Sequence, residues 1–156
     1  MKVAVITISD RASRGDYADL SGPEIEKNVR ARFADAEVTR HIVPDEQSRI
    51  LAALEDCTGA DFILTTGGTG ISPRDVTPEA TRRFVDKELP GIAECLRARS
   101  LAETPAAMLS RGVAGLKGGT IVVNFPGSVS AVRLCMTVIG PVMEHALRMV
   151  RGEGHG

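Results

Sequence analysis

A three-layer α/β/α sandwich around a mainly parallel, mixed sheet is the fold this sequence predicts, on three observations. The stretch from Val3 to Ile8 is a β-branched run with only Thr7 polar, the pattern of a strand buried on both faces. From there to Thr66 the order is strand, helix, strand, helix, strand, which right-handed crossovers convert into parallel strands with helices on both sides. Further on, Lys117-Gly118-Gly119 joins two short apolar segments and predicts an antiparallel hairpin, hence a mixed sheet. With 156 residues, 43% of them hydrophobic, the chain can fill one core: residues 1–151 are expected to form a single domain, followed by a flexible tail at 152–156.

Each element follows from local chemistry. After the first strand, a polar stretch rich in Arg, Gly and Asp reads as a loop. Ser21 and Glu24 then have capping-box spacing, Pro23 sits in the first turn, and Ile25, Val29 and Phe33 recur at helical intervals, predicting a helix over 22–33. Residues 37–43 form a second, less apolar strand that stops at Pro44-Asp45. Ile50, Leu51, Leu54 and Cys57 share one face of a helix running from Glu46 to near Gly59. A third strand, 61–66, is cut off by Gly67-Gly68-Thr69-Gly70. Thr77-Pro78-Glu79 opens a helix through Val85, Leu89-Pro90-Gly91 interrupts it, and another helix covers 92–101. The hairpin strands are 112–116 and 120–124. Ser128 and Ser130 are candidate caps for a last helix through Val150, which Gly140-Pro141 should kink or split.

Composition removes several functional classes. With 19 basic and 20 acidic residues the formal charge is −1, which disfavours a nucleic-acid partner. The apolar N-terminus is too short for a bilayer and runs into Ser9-Asp10-Arg11 without a cleavage pattern, so a cytoplasmic protein away from membranes is expected. Cys57, Cys95 and Cys135 are odd in number and widely spaced, and all three read as packing residues. His41, His145 and His155 show no metal-ligand spacing, and neither a G-x-S-x-G elbow nor a Cys/His pairing is present.

The remaining chemistry collects after strands. Ser9-Asp10, Pro44-Asp45-Glu46, Gly67 to Asp75 and Asn124 to Ser128 each follow a predicted strand, so in a parallel sheet they share the edge where ligand crevices form. The three glycines of the Gly67–Gly70 turn permit positive φ and bring N–H groups towards an anion, although the turn matches neither the Walker nor the dinucleotide fingerprint. Asp45 and Asp75 fit two descriptions: a carboxylate pair beside a polyphosphate, as magnesium requires, or caps of the helices beginning at Glu46 and near Pro78. Of the arginines, Arg74 and Arg111 lie beside the crevice and are the candidates for an anion clamp.

The string from Thr65 through Gly67-Gly68-Thr69-Gly70-Ile71-Ser72-Pro73-Arg74-Asp75-Val76-Thr77-Pro78-Glu79 to Thr81 resembles the signature of the MogA/MoaB family, which includes the G domain of gephyrin and of its plant counterpart. Ser21-Gly22-Pro23, Val43-Pro44-Asp45-Glu46, Pro90-Gly91, Leu109-Ser110-Arg111 and Asn124-Phe125-Pro126-Gly127 extend the likeness over essentially the whole chain. The resemblance implies an enzyme that adenylylates the terminal phosphate of molybdopterin with Mg-ATP and releases pyrophosphate. It also implies a homotrimer, with a hexamer as the other assembly, and hand-over of the product to a MoeA-like metal-insertion protein. By the same resemblance Asp45 and Asp75 match the aspartates of adenylyl transfer, holding Mg2+. Thr66, Gly67, Gly68, Thr69 and Gly70 match the nucleotide-phosphate cradle, while Ser100, Ser110, Asn124, Pro126 and Gly127 match pterin contacts. Ser9, Asp10, Arg74 and Arg111 fall at the site edge. Phe125 and Ser128 depart from the family pattern at positions expected to affect the pterin fit. The competing reading is a MoaB-like molybdopterin-binding module without efficient transfer. The catalytic reading requires Asp45 and Asp75 to share a cavity beside Gly68.

Overall fold

A computed structural model describes residues 1–154, so the final two residues of the expected tail, His155 among them, lie outside the described part. Among the described residues six strands form one sheet: β1 (Lys2–Ile8), β2 (Glu37–Val43), β3 (Phe62–Thr66), β4 (Lys87–Glu88), β5 (Ala114–Lys117) and β6 (Thr120–Phe125). Their order is β2-β1-β3-β6-β5-β4, parallel from β2 to β6 and antiparallel at β5 and β4. The sheet is mixed, as the hairpin signal predicts: Lys117 pairs with Thr120 across Gly118-Gly119, where Gly118 adopts φ +54°.

The uninterrupted apolar runs are explained by two cores, one on each face. Val3, Val5, Phe62, Leu64, Ile121, Val123 and Phe125 point to one side, against α2 (Ser21–Arg32), α5 (Pro90–Leu101), α6 (Val129–Ile139) and α7 (Met143–Val150). Ala4, Ile6, Ile8, Ile63 and Val122 point to the other, against Ile50 and Leu54 of α3 (Gln47–Asp56) and Ala80 and Phe84 of α4 (Thr77–Phe84). Successive residues of a central strand thus enter different cores, and each must be apolar. The polar character of β2 has the complementary cause: it is an edge strand, exposed along most of its length.

Several local expectations change. The loop after β1 contains a short helix, α1 (Asp10–Ser13), capped by Ser9, whose Oγ accepts from the Ala12 N–H at 3.1 Å. The Ser21/Glu24 capping box does not form; Asp19 does the capping, with Oδ1 accepting from Gly22 N–H at 3.0 Å and Oδ2 from the Thr7 hydroxyl at 2.8 Å. Pro90 opens α5 at a position where its missing N–H costs nothing, and the segment before it forms β4 at the sheet edge. A 3-10 turn over Pro105–Leu109 precedes β5. Gly140-Pro141 splits the last helix as expected, through a 3-10 turn at Gly140–Val142. Cys57 and Cys135 are buried, but Cys95 is exposed on α5, so the packing role holds for two of the three cysteines.

Asp19→Ala should lower unfolding free energy by about 1–2 kcal/mol in a urea titration, since it removes the side chain that caps α2, whereas Ser21→Ala should change little.

Candidate active site

Strands β2 and β3 flank β1 on opposite sides, so the chain leaves the carboxyl ends of β1 and β3 in opposite directions and opens a crevice there. All four polar segments meet at this edge. Asp10 and Asp45 clasp each other reciprocally: the Asp10 N–H donates to Asp45 Oδ2 at 2.9 Å, and the Asp45 N–H to Asp10 Oδ1 at 3.0 Å. Gly67 N–H donates to the Phe125 carbonyl at 3.1 Å, and the Thr66 hydroxyl to the Pro126 carbonyl at 2.8 Å.

Glycine is required in the loop for two reasons. Gly67 and Gly68 have φ of +99° and +68°, and a side chain on Gly67 would collide with the Ile8 carbonyl. Gly70 has no positive φ, and a Cβ there would stand 2.9 Å from Asp75 Oδ2, displacing that carboxylate rather than the backbone. The Thr77 hydroxyl and N–H tie down the Gly67 and Gly68 carbonyls at 2.9 and 3.1 Å. Among the described residues, the N–H groups of Gly68, Thr69 and Gly70 donate to no protein acceptor, which leaves consecutive donors for an anion.

Neither aspartate caps its helix: α3 and α4 begin without a side-chain cap bond. Asp45 Oδ1 lies 3.0 Å from where a Gly68 Cβ would stand, and Asp75 Oδ2 accepts from Ser72 N–H at 3.0 Å. Burial raises the Asp45 carboxyl above its ordinary pKa, and the charges of Asp10 and Asp75 add to the rise against the backbone bond from Asp10. Asp10 shifts the other way, because Arg74 grips it with Nε and Nη2 at 3.0 Å each. No group of three or more His, Cys, Asp or Glu side chains able to hold a metal occurs among the described residues. Two carboxylates beside unpaired amides nevertheless fit magnesium, which takes one or two protein oxygens and completes its shell with water and phosphate.

The single cavity expected beside Gly68 is instead two hollows separated by the glycine turn. One, of about 380 Å³, is lined by Thr69, Gly70, Asp75, Ser100, Ser110, Asn124, Pro126 and Ser128. The other, of similar volume, is lined by Ser9, Arg11, Tyr17, Asp19, Thr66, Gly67, Gly127 and Ser128, with Arg11 4.9 Å above the Tyr17 ring. Asp75 belongs to the first wall, while Asp45 reaches the turn from the side of Asp10 and lines neither hollow, so the shared cavity that the catalytic reading required is absent; what the two carboxylates share is the glycine turn itself, approached by Asp45 at Gly68 and by Asp75 at Gly70.

Other site residues are already engaged. Asn124 is buried, its carbonyl accepting from Val113 N–H at 3.2 Å and its amide donating to Thr65 and Thr81 at 3.0 Å each, so it braces the wall. Arg111 and Arg74, the candidate anion clamp, are committed to protein carbonyls and carboxylates. Phe125 is fully buried in the core and lines neither hollow, so it offers no direct contact to a ligand in either; Ser128 caps α6 through Ala131 N–H and borders both hollows. Burial pushes the Cys135 thiol, in the first wall, up to about 12, so it stays protonated. Tyr17 carries no signal in the sequence pattern, and Glu79, although it stands in the quoted motif, gives no hint there of its partner Arg111, 32 residues away.

Fold and rim together define an α/β/α sandwich with a glycine turn of unpaired amides between two acidic side chains at the sheet's switch point. A family model described as a probable molybdopterin binding domain matches residues 4–145. The chain belongs to this family, that of the MogA/MoaB proteins of molybdenum cofactor biosynthesis. It is 41% identical over 149 residues to the molybdenum cofactor synthesis protein cinnamon of Drosophila melanogaster, covering 94% of this chain and 25% of that protein. It is 37% identical over 155 residues to the molybdopterin adenylyltransferase of Helicobacter pylori strain J99, covering 97% and 88%. The solved structure of the molybdopterin biosynthesis enzyme MoaB from Thermus thermophilus superposes with a TM-score of 0.86 at 43% identity, covering 97% and 96%. Among the described residues no helix is long and apolar enough to cross a membrane.

The raised Asp45 pKa means that its ionisation costs folding stability above that pKa and costs nothing once the group is protonated in both states. Asp45→Asn should therefore raise Tm at pH 7.5, with the advantage shrinking as pH falls towards 4, as read by thermal unfolding across pH.

Proposed function

We propose that this chain is a molybdopterin adenylyltransferase that transfers AMP from Mg-ATP to the terminal phosphate of molybdopterin and releases pyrophosphate. The observation that carries this reading is the row of unpaired amides at Gly68–Gly70, flanked by Asp45 and Asp75 and bordered by a hollow that contains Ser100 and Ser110. The names of the Helicobacter relative and of its counterpart in Escherichia coli support it.

In this reading the hollow with Ser100, Ser110, Pro126 and Asn124 takes the pterin, and the turn takes the nucleotide phosphates, with Gly127 at its back. A pterin phosphate oxygen forms a bond to the α-phosphorus as the bond to pyrophosphate breaks; atoms and charge balance without a covalent enzyme intermediate. The amides of Gly68–Gly70 are free of protein acceptors before the reaction starts, so in this reading they stabilise charge on the polyphosphate without first breaking a bond to the protein. Asp45 and Asp75 would hold Mg2+, which when bound neutralises polyphosphate charge. We extend the family resemblance to a cytoplasmic homotrimer that passes its product to a MoeA-like metal-insertion protein.

Purified protein incubated with molybdopterin and Mg-ATP should yield adenylylated pterin and pyrophosphate; binding without product would convert the assignment to a pterin-binding module. Asp75→Asn should lower turnover by about 100-fold or more while pterin affinity holds. Ser110→Ala should weaken pterin binding, measured by direct titration, by about 1 kcal/mol.

A further inference from the structure

We propose that Arg111 is a positioning residue that fixes the nucleotide side of the site, the glycine turn and Asp75, against the Ser110 wall, so that the two substrates meet in register. The inference rests on the adenylyl-transfer reading and concerns how its site is held.

Arg111 follows Ser110 in the chain and belongs to the segment leading into β5, far in sequence from the glycine turn. Nevertheless it bonds that turn and its continuation throughout. Its backbone N–H donates to the Thr69 carbonyl at 2.7 Å. In the guanidinium, Nε donates to the Gly70 carbonyl at 2.7 Å and Nη2 to the Asp75 carbonyl at 2.8 Å. Nη1 reaches both Glu79 oxygens, at 2.8 and 3.0 Å.

These bonds act where the loop has little else. Thr77 secures Gly67 and Gly68, and Ser72 and Asp75 bond each other, but among the described residues only Arg111 hydrogen-bonds Thr69, Gly70 and the Asp75 backbone to another part of the fold. The Gly68–Gly70 amides stay unpaired, so the loop gains no rigidity from them. The Glu79 carboxylate holds one arm of the fork and so orients the other two donors on carbonyls. A lysine would keep the charge but could not make three bonds in fixed directions. Because Ser110 precedes Arg111, each bond to the turn also sets the spacing between Asp75 and the pterin hollow.

The test is steady-state kinetics with molybdopterin and Mg-ATP on wild type, Arg111→Lys and Glu79→Gln, alongside pterin affinity and Tm. Arg111→Lys is expected to lower kcat by about 10–100-fold, with pterin affinity and Tm near wild type. Glu79→Gln keeps the bonds to Gly70 and Asp75 and should lose less. Adding guanidinium to Arg111→Gly should restore part of its lost rate, a response that a purely structural role does not produce. An Arg111→Lys variant with wild-type kcat, or one whose whole loss follows a fall in pterin affinity or Tm, overturns the proposal. A wild-type protein that makes no product removes the adenylyl-transfer reading itself; amide exchange over residues 69–75 then decides, since faster exchange in Arg111→Lys supports the tether and unchanged exchange overturns it.

Discussion

The turn at Gly67-Gly68 is the constraint on which the site depends. Strands β1, β3 and β6 are parallel and in register, so the Thr66, Thr7 and Phe125 levels coincide and the chain leaving β3 has no lateral room. It escapes by two successive residues of positive φ, the first pressed against the Ile8 carbonyl and the second against the Thr77 hydroxyl and Asp45. Left-handed φ is costly for any residue with a Cβ, and here a Cβ would also meet protein atoms. Thr77 then accepts the turn's direction by bonding both glycine carbonyls, which starts α4 and brings Asp75 back towards the strand ends.

Around that turn, Asp45 and Asp75 are left without an ion pair among the described residues, and Asp45 is the one that burial makes hard to ionise. Asp10 is satisfied by Arg74, and Glu79 by Arg111. Asp45 has no cation of its own; it is partly buried, faces two other carboxylates, and is correspondingly hard to ionise. The reciprocal clasp with Asp10 holds it in place without neutralising it, because backbone N–H groups orient a carboxylate but carry no net charge. Such an arrangement weakens the free fold slightly at pH above the Asp45 pKa.

What the sequence made legible was whatever repeats at short range. The burial of β1 and β3, the hairpin at Gly118-Gly119 and the split at Gly140-Pro141 are all written in periodicity or in residues with fixed backbone preferences, and the crevice followed from the alternation of strands and helices. Features decided by distant partners were not legible. Asp19 takes the capping role from Ser21 because Thr7, on the first strand, receives its second oxygen. Phe125 reads as a site residue by its place in a motif, yet strand alternation sends it into the core while its neighbours Asn124 and Pro126 line the hollow. Cys95 is exposed because the helix that carries it turns only part of its surface inward. Arg111 looked like an anion clamp for the same reason that it is not one: its five-donor fork suits phosphate, carboxylate and carbonyl alike, and only the folded chain shows which of them is present.

The form of the rim bears on whether binding or chemistry shaped it. A module that only retains a pterin needs a shaped hollow, and the wall with Ser100, Ser110 and Asn124 would serve alone. It has no use for a half-buried carboxylate whose ionisation burial opposes, on the far side of the glycine turn, nor for a row of amides left without protein acceptors. Those features acquire a purpose when a second, polyanionic substrate is placed over the turn, because its phosphates complete the amides and bring the cation that Asp45 lacks. These features therefore lie where two substrates would meet rather than where one would rest, and this favours transfer over storage.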